Sequence, residues 1–237
     1  MKIAVLTTDT THHQLFCQEL HKFHPISRVI FGTEKLPQKF DTSHPIHDRQ
    51  SALEAPFVDR DISEYIPTEK IPYATLEQFT RSFDAGKPNI IFVYGARKIP
   101  ADVCHNYNLV NFHGGDSQKY RGKDALWWSI YHDDWDALKV TCHFVAPKLD
   151  TGNILYQDRV PIGSEMKLFE MRKAVVDVCL SQAKRLIMYS RRQAFSKYFA
   201  RMPLSSPQMC EGRYYSSMPP QLITICAEKF ERYTGKL

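Results

Sequence analysis

Lys2-Ile-Ala-Val-Leu-Thr7 is followed, past Thr8 to Thr11, by Leu15, Phe16, Leu20 and Phe23, and then, after Pro25, by Ser27-Arg-Val-Ile-Phe31. This stretch decides the fold class. The first run is short and almost continuously apolar, as suits a strand buried on both faces of a parallel sheet. The apolar residues of the second part recur at helical spacing. Thr8, Asp9, Thr10 and Thr11 offer helix caps. The third part reads as a second strand. The chain therefore opens β-α-β, the unit of an α/β fold.

Further strands are expected at Asn89 to Tyr94, Leu109 to Phe112, Lys139 to Val145 and Asn153 to Val160, the last two as an antiparallel pair. Helices are expected over Leu76 to Phe83, over Pro100 to Tyr107 with proline in the first turn, and over Ala125 to Tyr131 behind an Asp124 cap. A long helix should open at Ser164 and end at Pro203 and Pro207. The proline-rich residues 34 to 72 read as irregular loop with one short helix. Leu222 to Tyr233 forms an amphipathic tail, suited to cover the main domain or a partner subunit.

The 237 residues are 43% hydrophobic and 24% charged, an ordinary globular balance, with a formal charge of +5. That balance fits an anionic substrate without the basic stripe of a nucleic-acid binder. The run Lys184, Arg185, Arg191, Arg192, Lys197, Arg201 sits late in a helical stretch and reads as a solvated face. The six cysteines form no CxxC pair and fall in apolar segments, as suits reduced thiols of a cytoplasmic protein. No signal segment or membrane span is expected. His12-His13, His44, His47 and His143 make no convincing metal set, so no metal is expected.

In open α/β sheets ligands bind beyond the carboxyl ends of the strands. Three polar clusters fall there: Tyr94-Gly-Ala-Arg97, Asn111-Phe-His113 and Leu149-Asp-Thr-Gly152. Period-two alternation points Asn111 and His113 to the same side. An amide, an imidazole and a carboxylate are the parts acyl transfer needs. Spacing alone does not bring Asp150 to His113, and Asp-Thr-Gly by itself reads as a turn.

Asn111-Phe-His113, Tyr120-Arg-Gly122, His143-Phe-Val145 and Leu149-Asp-Thr-Gly152, in that order, resemble the folate-dependent formyltransferases. That family includes glycinamide ribonucleotide transformylase, methionyl-tRNA formyltransferase and the sugar N-formyltransferases. The likeness covers roughly residues 88 to 160 and, more loosely, the opening β-α-β.

It implies a Rossmann-like formyltransferase fold, an α/β architecture with a mostly parallel central sheet, flanking helices and a short C-terminal extension. Residues 1–200 would form the catalytic domain, and 201–237 an extension for packing or dimer contact. Asn111, His113 and Asp150 would be catalytic. Tyr94, Gly95, Arg97, Lys98 and Ile99 would hold the co-substrate 10-formyltetrahydrofolate, with Val145 and Gly152 on the other wall.

Where the family commonly continues with a Ser-Leu-Leu-Pro-like loop, this chain has Gly114-Gly-Asp-Ser-Gln-Lys119. The short stretch after the Asp150 block counts against a tRNA acceptor. The absence of glycine in Thr7 to Thr11 counts against glycinamide ribonucleotide. The expected acceptor is a nucleotide-linked amino sugar, of the kind found in lipopolysaccharide O-antigens. Gly114, Gly115, Asp116, Lys119, Tyr120, Arg121, Trp127 and Tyr215 are candidate contacts. A homodimer is expected. Formyl transfer to another small amine, as in the glycinamide ribonucleotide enzymes, formyl-folate hydrolysis and a non-catalytic nucleotide-binding module remain alternatives.

Overall fold

The computed structural model describes residues 1–33, 40–72, 75–83, 86–192 and 205–237. β1 (Ile3–Thr7), α1 (Thr11–Phe23) and β2 (Ile26–Gly32) form the expected opening unit, with β1 and β2 parallel. β3 (Thr68–Ile71), β4 (Ile90–Tyr94), β5 (Leu109–Gly114), β7 (Lys139–Phe144) and β8 (Ile154–Arg159) complete a seven-stranded sheet in the order β3-β2-β1-β4-β5-β7-β8. The first five of these run parallel. β7 and β8 turn antiparallel, as the sequence predicts for that pair. A separate two-stranded sheet joins β6 (Tyr120–Gly122) to β9 (Arg213–Tyr215), neither of which the periodicity announced.

The sheet is covered on both faces. On one side α1, α2 (Pro45–Glu54), α5 (Ala125–Tyr131), α6 (Met171–Arg192) and α7 (Pro220–Thr234) enclose the larger core, centred on Phe16, Phe92, Phe112 and Val140. On the other side α3 (Leu76–Ser82) and α4 (Ala101–Asn106) cover Ile91, Val93, Phe79, Val103 and Leu109. Alternation along β5 therefore sorts its side chains. Val110 and Phe112 enter the larger core. Leu109 enters the smaller one, and Asn111 and His113 continue its face.

Several expectations change. Residues 40–72 hold a ten-residue helix, two 3₁₀ turns and an edge strand. The helix α2 shows no apolar stripe because Ile46 is its only buried hydrophobic residue; Gln50 and Glu54 are its other buried positions. It is held by polar means: Arg172 of α6 donates through Nε and Nη2 to the two carboxylate oxygens of the fully buried Glu54, at 2.7 and 2.6 Å. Such a bidentate pair is directional in a way an apolar stripe is not.

Thr10 stands at the α1 N-cap without capping, because its hydroxyl is engaged by the rings of His12 and His13 at 3.2 and 2.7 Å. Asp124 likewise does not cap α5; its Oδ2 accepts from the Met218 amide at 2.8 Å. Pro100 is the N-cap of α4 rather than its first turn. Ser164 does not open α6, which begins at Met171 behind a 3₁₀ turn at Leu168–Glu170. Pro203, Lys197 and Arg201 lie outside the described residues.

The amphipathic tail forms α7 and buries Ile223, Cys226 and Phe230 against this same chain, with Tyr233 stacked on Trp135 at 4.0 Å. Of the basic run, Arg185 pairs with Asp158, and Arg191 lies against His24 and Phe23. All six cysteines are free thiols; four are buried. Among the described residues no helix is long and apolar enough to cross a membrane.

Candidate active site

β5 carries Asn111 and His113 on one face, and antiparallel register sets His143 of β7 opposite Asn111. The turn between β7 and β8 returns Asp150 to the same face. Asn111 Nδ2 lies 3.3 Å from Asp150 Oδ1 and 3.1 Å from His143 Nε2. His113 Nδ1 lies 3.6 Å from Asp150 Oδ2, and His143 Nε2 lies 3.5 Å from Oδ1. The Gly122 amide donates to Asp150 Oδ2 at 2.8 Å. One carboxylate thus gathers an amide, two imidazoles and a peptide N–H.

The tautomers follow from the carbonyls. A carbonyl only accepts, so His113 donates Nε2–H to the Tyr120 oxygen at 2.8 Å, and His143 donates Nδ1–H to Phe144 at 2.7 Å. His113 therefore turns Nδ1 toward the aspartate, and a proton there makes it a cation facing an anion. His143 turns Nε2 toward both the Asn111 amide and Asp150 Oδ1.

His113 and Asp150 are each 6% exposed and His143 is 1% exposed, so these groups meet in a poorly hydrated site. Burial alone would push the Asp150 carboxyl up. The imidazole of His113, with His143 and the Gly122 amide, outweighs it and holds the carboxyl well below the usual carboxylate range.

The Asp150 turn is tied down by backbone geometry. Asp150 itself adopts a left-handed φ of 52°. Gly152 passes so close to β7 that a Cβ would sit 1.7 Å from the Phe144 oxygen. From beyond α6, Gln208 Nε2 donates to the carbonyls of Asp150 and Gly152, and Ser206 bridges to Ile154.

The residues expected to hold folate divide into two groups. Ile99 is buried in the smaller core with Val103 and Leu109, and Val145 packs against that cluster. This cluster lies on the face that carries Asn111, and Val145 is its partly exposed edge. Gly152 stands beside it. Gly95 and Lys98 are exposed and Arg97 is half-buried in the loop after β4. Arg97 and Lys98 line a cleft of about 160 Å³ with Leu6, Thr8 and Gly32, at the ends of β1, β2 and β4. Tyr94 belongs to the opposite face: its ring packs between His13 and Phe16 at 4.7 and 5.1 Å. Only its backbone reaches the loop, and its carbonyl accepts from Thr7.

The acceptor candidates scatter more. Gly114 ends β5, and Gly115 follows it against the His113 ring. Asp116 is buried and accepts from Lys139, Gln157 and the Gln118 amide. Lys119 pairs with Asp134 at 2.8 Å, and Tyr120 Oη donates to the same carboxylate. Arg121 is buried and donates to Ser117, Gln208 and Cys210. Trp127 sits in the larger core beneath His47. Tyr215 stacks on Tyr120 and Trp128.

The structure thus brings Asn111, His113 and Asp150 together and spends the polar groups of Asp116, Lys119 and Arg121 on the protein itself. Sequence reasoning missed His143, the Gly122 amide and Gln208. His143 had a signal, since it sat in a quoted motif on a strand expected to pair. Gln208 had none. A larger groove, about 710 Å³, lies between α1, residues 56–59 and α6, and none of the three residues lines it.

No family model matches the sequence. The chain is 26% identical over 130 residues to a methionyl-tRNA formyltransferase of Chlorobium chlorochromatii; the match covers 54% of this chain and 41% of that protein. The chain thus spans about two fifths of that relative's length. In structure it resembles a 4-N formyltransferase from Francisella tularensis, with a TM-score of 0.59 at 16% identity over 91% of this chain and 76% of that one. A sugar N-formyltransferase from a Shewanella species gives 0.55 at 16% identity over 91% and 77%. HypX from Aquifex aeolicus in complex with tetrahydrofolic acid gives 0.53 at 15% identity, over 99% of this chain and 34% of that one. The fold is the formyltransferase fold, and the resemblance first carried by short motifs extends to both sequence and architecture.

Proposed function

We propose that this formyltransferase-fold protein is a folate-dependent N-formyltransferase that moves the formyl group of 10-formyltetrahydrofolate to the amine of a nucleotide-linked amino sugar. The observation that carries the reading is the convergence of Asn111 and His113 on one Asp150 carboxylate, 3.3 and 3.6 Å away. The neutral amine attacks the formyl carbon, the C=O electron pair moves onto oxygen, and the C–N10 bond then breaks. The amine loses one proton and the departing nitrogen gains one.

The Asn111 amide donates to the developing oxyanion, exchanging one of its present partners for it. His113 supplies positive charge, balanced by Asp150, and relays the proton. Pre-set donors of this kind typically contribute ~10²–10³ in turnover each. The pterin would lie against Val145, the partly exposed edge of the cluster around Ile99. A solved sugar N-formyltransferase, matched over 91% of this chain and 77% of its own, supports the sugar acceptor. A homodimer in the cytoplasm is part of the same proposal.

The test is a panel of nucleotide amino sugars incubated with 10-formyltetrahydrofolate and read for the mass gain of one formyl group. H113A and D150N should abolish the gain. Gain on another amine alone would replace the sugar while keeping formyl transfer. Near-native gain with H113A would overturn the assignment of the centre.

A further inference from the structure

β9 alternates like any strand, so its two tyrosines face opposite ways. Tyr215 turns inward and stacks on Tyr120 and Trp128, with ring centroids 5.4 and 5.0 Å away. Tyr214 turns outward and is 64% exposed. Its ring rests on Gly122: a Cβ there would lie 2.8 Å from Tyr214 Cε2 and 3.1 Å from Cδ2. Gly122 is the residue whose amide holds Asp150 Oδ2. An exposed aromatic face is therefore fixed one residue from the candidate catalytic carboxylate. Only a residue without a side chain lets the ring come so close, and Gly122 also has a φ of 91°, which favours glycine. Among the described residues no other ring stacks on Tyr214.

The position also assigns a side. Asp150 Oδ1 turns toward Asn111 and His143, on the face continuous with the Ile99 and Val145 wall. Oδ2 takes the Gly122 amide, under Tyr214, and also faces His113 Nδ1 at 3.6 Å. A ring lying on Tyr214 would approach the carboxylate from the side away from that wall. Lys123, exposed and one residue past Gly122, suits a phosphate on that side.

We propose that Tyr214 is a stacking platform for the acceptor, taking the flat heteroaromatic base of a nucleotide on the Gly122 side of the centre. This rests on the formyl-transfer reading and adds the group that recognises the acceptor. Stacking of a base on an aromatic side chain tolerates many bases, because every base has a π-face. Specificity for one base would then come from other contacts.

The probes are dTDP, UDP and GDP, each titrated into the whole chain by calorimetry, with tetrahydrofolate titrated in parallel. Wild type, Y214L and Y214F are compared. At least one nucleoside diphosphate should bind the wild type. Y214L, which keeps apolar bulk and loses the ring, should weaken that binding about tenfold, within the range of base stacking. Y214F should recover it, and tetrahydrofolate should bind all three chains alike, which also shows that they fold.

Unchanged nucleotide binding by Y214L overturns the proposal. So does a loss confined to tetrahydrofolate, or a wild type that binds tetrahydrofolate and no nucleoside diphosphate. Nucleotide binding that depends on Tyr214, in a chain that binds no tetrahydrofolate, would sustain the platform and sink the formyl-folate reading instead.

Discussion

Gln208 grips the Asp150 turn from 58 residues further along the chain: its Nε2 donates to the Asp150 carbonyl at 2.9 Å and to the Gly152 carbonyl at 3.0 Å. Its Oε1 in turn accepts from Arg121 Nη2 at 2.9 Å. Arg121 precedes Gly122, whose amide holds the same aspartate's carboxylate. The backbone and the side chain of Asp150 are therefore fixed by one connected network. Removing a partner that orients a functional group often costs ~10–100-fold in activity. Q208A should lower formyl-transfer kcat by that order. Q208E keeps an acceptor for Arg121 but sets a carboxylate against two carbonyls, so its kcat should fall at least as far. Wild-type kcat in Q208E, measured at saturating co-substrates, would remove the positioning role.

Gly152 allows no side chain. Its Cβ would lie 1.7 Å from the Phe144 oxygen, a backbone atom that cannot swing aside. G152A should push the turn off β7 and draw Asp150 away from His113. Overpacking of this kind typically costs about 1–3 kcal/mol. Urea denaturation should show that loss, and formyl transfer should fall more steeply than stability does.

His143 meets Asp150 Oδ1 and Asn111 together, at 3.5 and 3.1 Å. It helps hold the Asp150 carboxyl low, so the wild-type carboxylate is ionised at every pH above the usual aspartate value of about 4. Its stabilising contribution is present above that value and is lost only as pH falls through the lower folded value. H143A should raise the Asp150 carboxyl toward its usual range, because burial is then opposed by His113 and the Gly122 amide alone. An acid limb should appear in the kcat profile of H143A at a pH where the wild type is flat. Superimposable acid limbs in the two enzymes would contradict this.

His13 is buried between Thr8, Thr10 and Tyr94, and burial lowers its imidazole to about 3, with the nearby Arg172 cation adding to the shift. A histidine kept neutral in the fold gives stability that is full above its unfolded value of about 6.5 and declines as pH falls from there. The slope is about 1.4 kcal/mol per pH unit for one such group. Denaturation midpoints at pH 7 and pH 5 should therefore differ more for the wild type than for H13Q. His12, also lowered by burial and by His13, keeps part of the slope in the variant.

Much of the fold was legible because its signals are local. The apolar runs at Ile3 to Thr7, Ile90 to Tyr94 and Leu109 to Phe112 need no distant partner to be read as strands. β3, β6 and β9 were not legible: they are three or four residues long, at an edge or in a small sheet. One short helix was expected between residues 34 and 72, but the place of α2 was not legible, because a buried ion pair, not an apolar face, holds it. In the site, alternation placed Asn111 and His113 on one side. His143 joined them only through the β5–β7 register, and Gln208 only through the return of the chain past α6.

The sequence by itself determined an α/β sheet, the strand that carries Asn111 and His113, and a turn at Asp150 whose likeness to formyltransferases singled it out. The tertiary structure alone decided that this turn closes on β5, that Gly122 and Gln208 hold it there, and that Tyr214 stands exposed beside it. The division has a physical reason. Periodicity records which face of an element avoids water, and that is a property of neighbouring residues. Hydrogen bonds across 28 to 58 residues depend on where the packed sheet brings distant backbone together, and no local pattern encodes that.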